Sequence, residues 1–64
     1  MTNQIIKSHC VSSMKALEKR IRSDMEELSG KDNENTVVVE HISHEYTESG
    51  FIDAIVIYKI HLKL

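Results

Sequence analysis

Alternate residues near the end of the chain, Ile52, Ala54, Val56, Tyr58, Ile60, Leu62 and Leu64, form an apolar row without a break. An extended strand places every second side chain on one side, so this row is one complete face of a strand. The residues between them are Phe51, Asp53, Ile55, Ile57, Lys59, His61 and Lys63. That second row begins apolar and ends charged. A strand with one wet face alternates cleanly. Here the fold must cover the even face fully and leave the odd face half apolar. The odd face is expected to meet a second subunit or a ligand.

The chain has 64 residues, which read as a single domain over 1–64. A domain this small buries only about 60% of the surface of its unfolded chain. Below roughly 70–80 residues, a disulfide, a metal or a partner subunit commonly supplies the missing stability. Cys10 is the only cysteine, so no internal disulfide can form. A lone cysteine without a signal peptide fits a reducing, cytoplasmic setting. No apolar run approaches the ~18 residues that span a bilayer. The expected source of stability is therefore a partner subunit, and a homo-oligomer is the reading. A net charge of −2 argues against nucleic acid, whose partners carry a basic face. The apolar content of 41% is too high for a disordered tail.

Upstream, Asn3–Val11 reads as a first strand, with Ile6, Ser8 and Cys10 on one side and Ile5, Lys7, His9 and Val11 on the other. Ser12 or Ser13 can then cap a helix through its hydroxyl. Met14, Leu17, Ile21, Met25 and Leu28 recur at spacings of three and four, one apolar stripe on a helix over Ser13–Ser29. Gly30 suits the left-handed position after the last turn. Bases crowd the first half of this helix and acids the second, against its dipole. Pairs Glu18–Arg22, Arg20–Asp24 and Arg22–Glu26 can offset part of that. The charged side reads as a solvated face; the alternative is a basic patch for a subunit or an anion. "KDNEN" is a polar loop. "TVVVEHISHEY" is rich in β-branched residues and reads as a second strand. Thr47–Gly50 makes a tight turn into the last strand.

These elements predict an α+β fold of βαββ order. A single helix packs on a three-stranded antiparallel sheet of strand order 1-3-2, with the longest and most apolar strand in the centre. Leu17, Ile21, Met25 and Leu28 are expected to pack on Ile52, Val56, Tyr58, Ile60 and Leu62. One helix cannot cover both sides of the sheet. The uncovered side holds Phe51, Ile55 and Ile57, the candidate interface. It also holds either Val37, Val39 and His41 or Val38, Ile42 and Tyr46, depending on hairpin register.

Little in the chain suggests catalysis. His41 and His44 are three apart in a strand and point to opposite faces. Cys10 and His9 also point apart. No spacing matches a zinc site, and Gly30 and Gly50 are the only glycines, too few for a phosphate loop. The chain is read as no enzyme, with no cofactor and no metal. Tyr46, Phe51 and Tyr58 read as packing residues; alternatively one or two of them line a ligand site at a subunit junction. His41, Lys59 and His61 can supply polar contacts to an anionic, nucleotide-like ligand.

The order of elements, the length and the ending "VVVEHISHEYTESGFIDAIVIYKIHLKL" resemble dodecin. The resemblance implies a hollow homo-oligomer that stores a flavin or similar ligand. A residue near Val37 would stand where dodecin has a flavin-stacking tryptophan, and this chain has no tryptophan. No ligand residue is carried over from dodecin; the candidate ligand residues are Val37, His41, Tyr58, Lys59 and His61. The stretches "SMKALEKRIRSDMEEL" and "GFIDAIVIYK" are also similar to small sporulation-associated or phage-borne proteins of spore-forming bacteria. That similarity implies an alternative role, an accessory protein that binds and inhibits a host protein through its open sheet face or edge.

Overall fold

The computed structural model describes residues 2–32 and 34–62. A strand β1 (Thr2–Val11) leads into a helix α1 (Met14–Ser29). Strands β2 (Asn35–Tyr46) and β3 (Ile52–Leu62) follow. The sheet has the order β1-β3-β2 and both pairings are antiparallel. This is the expected α+β arrangement. Lys63 and Leu64, which the alternation assigns to the last strand, and Asn33 of the polar loop lie outside the described residues.

Local chemistry sets the ends of each element. The Ser13 backbone is extended, and its hydroxyl accepts from the Ala16 N–H at 3.1 Å, satisfying one of the free donors of the first turn. Gly30 ends the helix at φ 85° and donates to the Glu27 carbonyl. The hairpin loop is closed by Thr47 N–H to the Phe51 carbonyl (2.8 Å), with Phe51 N–H donating to the Thr47 hydroxyl (3.1 Å). Gly50 takes φ 89° inside it. Both glycines hold backbone angles that side chains with a Cβ disfavour.

The even row of β3 is the core. Ile52, Ala54, Val56, Tyr58 and Ile60 are all buried, and Tyr58 and Val56 are fully so. Val11 and Leu17 join them, with Ala16 and Ile21 packed alongside. Met25 and Leu28 are half-buried. Leu62 departs from the expected core and stays exposed. The reason is length. A helix of 16 residues rises about 24 Å, while a strand of 11 runs about 36 Å, so β3 outruns its cover.

The helix also crosses the sheet obliquely. It starts beside Val11, which pairs with Ile52, and its Leu28 carbonyl accepts from Asn35 Nδ2 at 3.0 Å, where β2 opens opposite Leu62. These are opposite corners of the sheet. The corner left bare on β2 carries His44 and Tyr46, and Tyr46 is 66% exposed, while Ile42 borders a groove with Met14, Leu17 and Ile21 of the helix.

Neither of the two expected rows of β2 is what the strand presents. Val37 and Val39 lie opposite Ile60 and Tyr58, on the helix side. A bulge at Glu40 then shifts the register, and Ile42 and Tyr46 also fall on the helix side, opposite Val56 and Ile52. An extra residue in one strand inverts the alternation beyond it. Val38 and His41 are left on the open side, opposite Lys59 and Ile57.

Candidate functional site

The open side of the sheet is the surface to which the fold gives no cover. Register places Ile6, Ser8 and Cys10 of β1 beside Ile57, Ile55 and Asp53 of β3, and Val38, His41, Ser43 and Glu45 of β2 on their other flank. Its middle is apolar. Ile6 is 67% exposed, Ile55 48% and Val38 47%. Ile57 and Lys59 are half-buried by their neighbours. One end, at Asp53 and Glu45, is acidic. The other carries Lys59 and His61. Near that end Gln4 reaches across the sheet and donates to the Glu40 carboxylate at 3.1 and 3.2 Å, so the bulge residue is tied down over the face.

The candidate residues therefore divide. His41, Lys59 and His61 lie on the open side, as do Ile55 and Ile57. Val37 and Tyr58 do not join them: both point to the helix side, and Tyr58 has no exposed surface. A ligand on the open face cannot touch Tyr58. Phe51 precedes β3 in the hairpin loop and is exposed at the acidic end of the sheet.

A second constellation lies under the helix. Asp24 is 7% exposed. Its Oδ2 accepts from the Tyr58 hydroxyl at 2.8 Å and lies 2.6 Å from His9 Nε2. A carboxylate only accepts, so Nε2 carries the hydrogen in this arrangement. Burial first, then the hydrogen bond to Asp24 and its charge, hold the Tyr58 phenol well above its ordinary value of 10.0. The expected Arg20–Asp24 pair does not form, because Asp24 turns inward. The Glu18–Arg22 pair is present at 3.7 Å on the outer face. Asp24 was legible as an anomaly: it falls between Ile21 and Leu28 on the apolar stripe, three and four residues away.

An aspartate–histidine pair suggests nucleophilic chemistry, but neither the hydroxyl nor the thiol next to His9 in β1 can serve it. Ser8 and Cys10 flank His9 in sequence and therefore point to the opposite face. Cys10 is exposed on the open side. A hydrogen bond to Asp53, with smaller contributions from desolvation and the Asp53 charge, pushes its thiol up from the usual range. This favours the thiol over the reactive thiolate. The buried trio ties α1 to β1 and β3. Among the described residues no three His, Cys, Asp or Glu side chains come together to hold a metal ion, and no helix is long and apolar enough to cross a membrane.

No protein-family model, curated protein or solved structure matches this chain. The likeness to dodecin thus rests on element order, length and the pattern of the chain's last 28 residues.

Proposed function

We propose that the chain is a non-enzymatic, self-associating protein that holds a small, anionic, nucleotide-like ligand at junctions between its subunits. The observation that carries this reading is the cluster of exposed Ile6, Val38 and Ile55 around half-buried Ile57 on one face. A contiguous apolar patch on a folded surface marks a contact site. Overall shape points the same way. The accessible surface is 4801 Å², against about 4,200 Å² for a compact monomer of this mass. The radius of gyration is 12.9 Å, against about 11 Å for a compact chain of this length. Lys59, His41 and His61 supply cationic and hydrogen-bonding groups near one end of the patch. Native mass spectrometry combined with an absorbance scan tests the proposal. A discrete oligomer with extra mass and a co-purified nucleotide or flavin spectrum is the expected result. An oligomer free of ligand removes the storage role and leaves the assembly.

A second reading, capture of a host protein by strand addition, is favoured by the outer edge of β1. That edge runs ten residues with an uninterrupted register and no proline to block pairing. A stable monomer that gains mass on addition of one host protein would favour it.

A further inference from the structure

The open face has a polarity that selects its own partner. Along β3 it reads Asp53, Ile55, Ile57, Lys59, with the acid and the base equally far from a midpoint between the two isoleucines. Glu45 pairs with Asp53 and adds to the acidic end. We propose that the partner on this face is a second copy of the chain. The two sheets pack face to face about a two-fold axis that lies across the strands at the level between Ile55 and Ile57. The inference rests on the self-association proposed above and not on the ligand, since a Lys59 that meets the partner's acids and a Lys59 that holds an anion exclude one another.

The charges decide the direction of the axis. An axis along the strands would set Asp53 over Asp53 and Lys59 over Lys59, which repel. An axis across the strands sets each Lys59 over the partner's Asp53 and Glu45 end, and each Ile55 over an Ile57. β1 then lies over β1 and β2 over β2, antiparallel, as an isologous interface requires. Glu40, bonded to Gln4 at 3.1 Å, lies at the Lys59 end and offsets part of its attraction for the partner's acids. Three strands about 4.8 Å apart and seven residue levels at about 3.3 Å give a face of roughly 330 Å². Two such faces bury on the order of 700 Å², which suits a weak, reversible dimer, not a permanent one. The apolar centre supplies affinity and the two charged ends fix register.

The test mixes two charge-swapped variants. Lys59→Glu makes both ends of the face acidic, and Asp53→Lys replaces the acid that faces Lys59 with a base, beside an unchanged Glu45. In native mass spectrometry and sedimentation equilibrium, each variant alone is expected to dimerise at least about tenfold more weakly than the unaltered chain. Mixed in equal amounts they are expected to form heterodimers in preference to either homodimer, and the double variant Asp53→Lys/Lys59→Glu is expected to regain self-association. Oligomers that persist unchanged in all three variants would overturn this geometry while leaving self-association standing. A monomer in every sample, the unaltered chain included, would overturn both. If either single variant fails to fold by circular dichroism, the unaltered chain decides the matter. Its dimer must weaken as salt is raised from about 50 to about 500 mM, over which screening shortens severalfold, and a dimer indifferent to salt contradicts the proposal.

Discussion

Asp24 shows how one residue ties the helix to the sheet. A buried carboxylate is costly unless it is hydrogen-bonded, and here a single oxygen takes both the Tyr58 hydroxyl and His9 Nε2. Asp24→Ala strands two donors and is expected to cost about 2–4 kcal/mol in urea denaturation, a large share of the roughly 3–10 kcal/mol that a chain of this length commands. Tyr58→Phe removes one donor and is expected to cost about 1 kcal/mol. The phenol also gives an alkaline signature. Its pKa is raised in the folded state, so the folded protein holds the proton more tightly than the unfolded chain. The stabilisation is complete below pH 10, the ordinary value for tyrosine, and is lost as pH climbs from there towards the raised folded value. Urea midpoints measured between pH 8 and pH 11 are expected to fall more for the unaltered chain than for Tyr58→Phe; parallel curves would show that the phenol does not report folding. The position of Asp24 on the apolar stripe was visible in the sequence, but its partners were not. His9 and Tyr58 come from strands far apart in the chain, and only the tertiary fold brings them to one oxygen.

At the scale of elements, the helix stripe, the serine cap, both glycine positions and the hairpin follow from short-range chemistry, and these were legible. The bulge at Glu40 was not. No glycine or proline marks it, and the β-branched run "TVVVEHI" reads as unbroken alternation. One extra residue keeps Val37, Val39, Ile42 and Tyr46 on the helix side, although their parity in the chain differs. Register therefore depends on it. Deleting Glu40 removes the unpaired residue and the exposed bond to Gln4 and nothing from the core. It is expected to leave the fold intact by circular dichroism and to shift stability by under about 1 kcal/mol, since exposed polar contacts contribute little. Gly50→Ala is expected to cost about 1 kcal/mol through backbone strain alone, because a Cβ there would meet nothing within 4 Å. Gly30→Ala adds a contact with the Glu34 carboxylate at 3.0 Å, which that flexible side chain can relieve, so thermal melts should place the two variants close together.

The whole molecule is long and thin, 45 × 18 × 11 Å, because strands of ten to twelve residues are covered by one helix shorter than they are. The order β1-β3-β2 was readable because the most apolar strand belongs in the centre. The division of the candidate site was harder to see. Tyr58 belongs to the even row and so to the core, while His41 reaches the open face only because of the bulge. What the sheet leaves bare is an apolar patch with acid at one end and base at the other, and the central claim is that other copies of the chain cover it. Ile55→Asp or Ile57→Asp places a charge in the middle of that patch, far from the core, and is expected to abolish association while leaving the circular dichroism spectrum unchanged. The measurement that tests the claim most directly is the mass of the unaltered chain by native mass spectrometry across a concentration series. The account predicts a dimer or a larger assembly that grows in with concentration. A monomer that persists to the highest concentration reached would contradict it.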